Sequence, residues 1–128
     1  MFFRTFVGLL LRKKFAGSKP YAETWYSFGC EFVPGADPAE TFVGYIRDYL
    51  KIEISASQTL SWDTETKPDH DGIAKQFIYL GLDCDYISGE PIVPEGLEKV
   101  EFIETKDLKN LDLVPPLVKM LRRTGYLN

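Results

Sequence analysis

The stretch Trp25-Tyr-Ser-Phe-Gly-Cys-Glu-Phe-Val-Pro-Gly-Ala-Asp-Pro-Ala-Glu-Thr-Phe-Val-Gly-Tyr-Ile-Arg-Asp-Tyr-Leu-Lys-Ile-Glu-Ile54 decides how this chain is read. Asp37 is a good helix N-cap, Pro38 suits the first helical position, and Glu40 stands where a capping box needs an acid. Phe42, Val43, Ile46 and Leu50 then recur at helical spacing, so a helix is expected from about Pro38 to Leu50. Gly44, Tyr45, Asp48 and Tyr49 fall on another face. Gly29 and Gly35 mark tight turns before the helix, and Ile52 opens a strand after it.

These residues resemble the Nudix box without a gap. Trp25, Gly29, Pro34-Gly35, Pro38, Glu40, Ile46 and Ile52 fall in register with that family's pattern. The functional positions depart from it. The second glycine is Cys30, the first glutamate Ala36, the arginine Gly44 and the next glutamate Tyr45. The final glutamate pair is Asp48-Tyr49, and the last glycine is Lys51. The resemblance implies an α+β fold, a Nudix-like α/β/α sandwich with a mixed sheet flanked by helices. It also implies a loop–helix–loop that holds Mg²⁺ or Mn²⁺ against a diphosphate through glutamates, with a backbone carbonyl near Gly29 helping. Neutral phenols supply no negative charge near pH 7, so Tyr45 and Tyr49 do not replace carboxylates. The frame of the box is present and most of its chemistry is not.

Outward from the box, the periodicity fits one mixed sheet across residues 1–128 as a single domain. Phe3 to Arg12 reads as a strand and Thr24 to Phe28 as a short one. Ile52 to Asp63 alternates with period two, and Thr64 to Gly72 is a polar loop. Ala74 to Cys84 returns as the second arm of a hairpin, with Ile78, Leu80, Leu82 and Cys84 on one face and Phe77 and Tyr79 on the other. Asp85 to Gly96 reads as loop, Lys99 to Glu104 as strand, Thr105 to Lys109 as a short helix or turn. Pro115-Pro116 opens a last helix that Gly125 ends.

A net charge of −4 disfavours a non-specific nucleic-acid or anionic-membrane surface. The apolar run Phe6 to Leu11 is too short to span a bilayer, and its basic cluster follows it, the wrong order for a secretory signal. The cytoplasm is therefore the expected compartment. Cys30 and Cys84 have no metal or disulfide spacing and are expected reduced. Arg12-Lys13-Lys14 and Arg122-Arg123 read as solvated element ends.

The candidate site residues follow from the resemblance and from the helix face. Asp48 is the acid left on that face, a candidate catalytic residue and metal ligand. Glu98, with Glu95, lies on a late loop where the family supplies a further ligand. Gly29, Tyr45, Tyr49 and Trp62 are ligand-binding candidates, the two tyrosines as rings that fill the former metal site. Phe77 and Tyr79 add rings that could line a cleft. Asp69-His70-Asp71 has ligand types but poor convergence for one ion.

Three functions are compatible with these residues. One is a Nudix-fold protein whose box chemistry is lost or weakened and which binds a nucleotide or other small phosphorylated ligand. Another is a hydrolase with a metal site rebuilt from Asp48, Glu31, Glu40 or the late acids. The third is a non-catalytic interaction domain, for which a homodimer would fit.

Overall fold

A computed structural model describes residues 2–4, 8–18 and 21–128. Its elements are β1 (Phe2–Arg4), β2 (Gly8–Lys14), β3 (Trp25–Tyr26), α1 (Pro38–Leu50), β4 (Glu53–Pro68), β5 (Ala74–Ser88) and β6 (Leu97–Glu104). A 3₁₀ turn (Thr105–Asn110) and α2 (Pro115–Arg123) follow. The strands form one mixed sheet in the order β3-β2-β1-β5-β4, with β6 on the other edge of β2. β1 is parallel to β5, and the other strand pairs are antiparallel.

Alternation along β2 builds both sides of the molecule. Leu9 and Leu11 are buried in a core with Ile103, Leu108, Leu113, Leu117 and Leu121, beneath α2. Leu10 points the other way, into a core with Phe28, Phe42, Ile46, Leu50, Ile54 and Leu82, beneath α1. One sheet between two helices is the expected sandwich, because each helix buries a single apolar stripe. Asp37 caps α1 by accepting a hydrogen bond from Ala39 N at 2.8 Å. The last helix ends as its sequence suggests. Gly125 takes φ +88, and Tyr126 N and Leu127 N both donate to Leu121 O.

Several expectations about element limits are corrected. The expected strand Phe3 to Arg12 is two antiparallel strands, because the Phe2–Arg4 segment pairs with β5 as well as with β2; Thr5, Phe6 and Val7 of that run lie outside the described residues. The polar stretch Thr64 to Pro68 is strand, not loop. Its backbone is paired with Ala74 to Ile78, and Glu65 and Lys67 have partners of their own. Likewise β5 runs on to Ser88 through residues read as loop, since Asp85, Tyr86 and Ser88 face Ser55, Ile54 and Glu53 across the ladder.

The register leaves a wedge in the sheet. Among the described residues β1 meets β5 at Asp83 to Asp85 and β2 at Leu9 and Leu10. Beyond them β2 pairs with β3 instead, at Arg12 and Lys13. The outer half of the β4–β5 hairpin therefore diverges from β2 and β3. Two ties hold it to α2: an ion pair from Lys119 to Asp63 at 2.8 Å and a hydrogen bond from Arg123 Nη1 to the Trp62 carbonyl at 2.8 Å.

Candidate functional site

The wedge is a cleft of about 920 Å³. One wall is the hairpin, through Asp63, Lys67 and residues 76–81. The opposite wall is Arg12, Lys14, Tyr21 and residues 26–32. Val114, Pro116, Leu117, Met120 and Arg123 of the α2 region close it. Its cations are Arg12, Lys14, Lys67 and Arg123, and its acids are Glu31 and Asp63. Asp63 already pairs with Lys119 and Lys67 with Glu65, which leaves Arg12, Lys14 and Arg123 against Glu31, so the cleft favours an anion. Tyr21, Tyr26, Phe28, Phe32, Phe77 and Tyr79 give it ring surface as well.

On the first wall, Glu65 and Lys67 share a hairpin face with Phe77 and Tyr79. Glu65 accepts hydrogen bonds from Tyr21 Oη at 2.7 Å and Tyr79 Oη at 3.1 Å, and pairs with Lys67 Nζ at 3.3 Å. The Lys67 ammonium lies 5.0 to 5.7 Å from the ring centres of Phe77, Tyr21 and Tyr79. Burial works against the Lys67 charge, but bonds to Tyr79 and Glu65 and the oxygens of Tyr21 and Tyr79 outweigh it and hold its pKa above the ordinary lysine value. Burial, then the Glu65 bond, pushes Tyr21 up to about 12. Burial would raise Glu65, yet bonds from Tyr21, Tyr79 and Lys67 hold it below the usual carboxylate value.

On the second wall, Arg12 is the central group. Its Nε donates to Ser27 O at 3.1 Å, and its guanidinium carbon stands 4.1 Å from the Tyr26 ring centre and 5.0 Å from that of Phe28. The Phe28 ring that Arg12 lies over meets Tyr49 edge-on, and the Arg12 charge pulls on the Tyr45 phenol. Lys14 is almost fully buried and donates to the Ser18 carbonyl at 2.5 Å and to the Tyr21 carbonyl.

The residues expected from the sequence are distributed unevenly. Tyr45 and Tyr49 stack, with ring centres 5.2 Å apart, and both pack partly buried against the α1 core. Tyr49 also meets Phe28 edge-on at 6.5 Å. Burial raises the Tyr45 pKa against the opposing pull of Arg12, so the phenol stays neutral. Asp48 is exposed on the outer side of α1. Glu98 pairs with Lys13 at 2.9 Å, so its carboxylate is engaged elsewhere. Trp62 is 66% exposed and lies outside the cleft lining. Asp69 and Asp71 both bind Lys75, at 2.9 and 3.0 Å, which accounts for the Asp-His-Asp turn without an ion.

Gly29 lines the cleft, yet its φ is not positive and an added Cβ would meet nothing within 4 Å. Turn geometry therefore does not require glycine there, and the bare backbone faces the cleft. Arg12, Lys14, Tyr21, Glu65 and Lys67 were missed as site residues. The alternation Leu10, Arg12 inside an apolar strand was a signal that Arg12 shares a face with the α1 core.

A divalent metal, which the resemblance implies, does not fit the donors present. Magnesium and manganese favour hard anionic oxygens. The α1 face offers two neutral phenols beside a guanidinium, and among the described residues no three His, Cys, Asp or Glu side chains converge.

Among solved structures the chain is similar to a Nudix-family hydrolase from Clostridium perfringens, with a TM-score of 0.68, 12% identity, and coverage of 98% of this chain and 91% of that one. A Nudix hydrolase from M. smegmatis gives a TM-score of 0.67 at 12% identity, covering 97% of this chain and 80% of that one. A longer protein from Sinorhizobium meliloti 1021, provisionally described as an oxidoreductase, gives 0.60 at 17% identity; 97% of this chain spans 36% of its length. No protein-family model matches the sequence, and neither does any curated protein. The fold is Nudix-like. Among the described residues no helix is long and apolar enough to cross a membrane.

Proposed function

We propose that this chain is a ligand-binding domain on a Nudix-like fold, in which hydrolysis by the usual box residues is lost. The ligand is a small phosphorylated molecule carrying an aromatic base, a nucleotide by class, held in the wedge cleft. The carrying observation is the lining: Arg12, Lys14, Lys67 and Arg123 stand among six aromatic rings, while Asp48 is the one acid left on the box face. Rings stack on the flat faces of bases for roughly 1–3 kcal/mol each. Cations bind phosphate oxygens, and Arg does so with planar, paired donors.

Catalysis is a poorer fit to the same residues. Losing a general base and charge stabilisers removes factors of about 10² or more each. Asp48, facing outward, has no neighbouring acid cluster among the described residues.

The test combines two readouts on one panel of nucleoside diphosphates and triphosphates, dinucleoside polyphosphates and nucleotide sugars. Turnover is followed with Mg²⁺ or Mn²⁺, and the melting temperature is followed with each compound. The expected result is no turnover and a raised melting temperature with a subset of the panel. Metal-dependent turnover that Asp48→Ala abolishes would sink this reading.

A further inference from the structure

The Arg12 guanidinium faces the helix positions where the resemblance puts metal-binding glutamates, and we infer that it replaces the ion: it grips the ligand's phosphate directly, so binding needs no divalent cation. This deepens the ligand-binding reading of the cleft and rests on it.

Three observations carry the inference. The group is aimed. Its Nε is fixed on the Ser27 carbonyl, and the Tyr26 and Phe28 rings at 4.1 and 5.0 Å hold its plane. A guanidinium fixed this way spends little entropy on binding, and it has five N–H donors of which only some are used here. The charge is also not neutralised. Among the described residues the partners of Arg12 are the Tyr26 and Phe28 rings and the Ser27 carbonyl, with no carboxylate pairing to it. An arginine this confined without an acid is matched to an anion from outside.

The third observation is the replacement on α1. Tyr49 stands at a box glutamate position and meets the Phe28 ring that Arg12 lies over, and Tyr45 stands at another and stacks on Tyr49. Two carboxylates there would have paired with Arg12 and cancelled its charge. Two phenols leave the charge for a ligand. The same positive charge repels a divalent cation from that spot.

The experiment is calorimetric titration of the protein with adenosine diphosphate and with inorganic pyrophosphate, in Mg²⁺ and in EDTA. The variants are Arg12→Gln and Arg12→Lys, each first checked for its far-UV spectrum and melting temperature. The wild type should bind equally well in both buffers. Arg12→Gln should weaken binding by about 10-fold or more, and Arg12→Lys, which keeps charge without the planar fork, should fall between. Should Arg12→Gln fail to fold, the Arg12→Lys protein carries the test and should bind more weakly than wild type. Binding only in Mg²⁺, or binding unchanged in every folded Arg12 variant, would overturn the role of Arg12 while leaving the cleft a ligand site. No binding in either buffer would overturn both.

Discussion

The carbonyl oxygen of Lys51 lies 2.8 Å from the point a Cβ on Gly89 would occupy. Gly89 also has φ +103, and Lys51 itself is left-handed at φ 62, ψ 35 as the C-cap of α1. The turn leaving α1 and the turn leaving β5 are thus packed backbone against backbone. Gly89→Ala meets both a positive φ and a backbone atom that cannot step aside. It should cost roughly 2–3 kcal/mol. Urea unfolding of the two proteins, with unchanged slope and a lower midpoint for the variant, checks this.

Lys51 occupies the position of the last glycine in the box pattern and keeps the left-handed backbone a glycine would serve. A side chain in that conformation costs roughly 1 kcal/mol, part of which glycine returns to the unfolded chain as entropy. Lys51→Gly should therefore raise stability, by roughly 0.5 kcal/mol. A melting temperature equal to or below that of wild type would show the turn to be unstrained.

Gly29→Ala separates folding from binding. The position has no positive φ and room for a methyl group, so the melting temperature should hold or rise slightly. The methyl group enters the cleft where the backbone is bare, so affinity for a bound nucleotide should fall. A variant that binds as wild type does would place the ligand away from Gly29.

Glu65 sets an acid limit on stability. Its folded pKa is held below the ordinary 4.5 by bonds from Tyr21, Tyr79 and Lys67, which overcome the opposing effect of burial. A depressed carboxylate pKa stabilises the fold above the unfolded value, and that contribution is lost as pH falls below about 4.5 through the folded value. Tyr21 acts at the other end. Its pKa is raised from 10.0 to about 12, so its contribution is complete below pH 10 and is lost as pH rises towards 12. Glu65→Gln should flatten the acid limb of a stability–pH curve, and Tyr21→Phe the alkaline limb. Parallel curves for wild type and variants would remove these two groups as the cause.

Much of the fold was legible because its signals are local. The Asp37 cap, the Pro38 start and the Phe42, Ile46, Leu50 stripe fix α1 at the limits observed, and Pro115 with Gly125 frames α2 in the same way. Strand limits were less legible. Thr64 to Pro68 is polar enough to read as loop, and it is strand because β5 pairs with it and Tyr21 and Tyr79 satisfy Glu65.

The sequence by itself determined the helices and the mixed sheet between them, since capping and periodicity need no knowledge of distant partners. Only the tertiary structure decided where a cleft opens, because its walls come from the β4–β5 hairpin and from residues 12–32, which are far apart in the chain. It also decided what stands at the altered box. Arg12 precedes Tyr45 by a loop and most of a helix, and reads in the chain as one of three basic residues at a strand end. Register and packing bring it over the Tyr26 and Phe28 rings, and Phe28 in turn meets Tyr49. Long-range pairing of this kind leaves no periodic trace, so a side chain's charge is visible in the sequence while its partner is not.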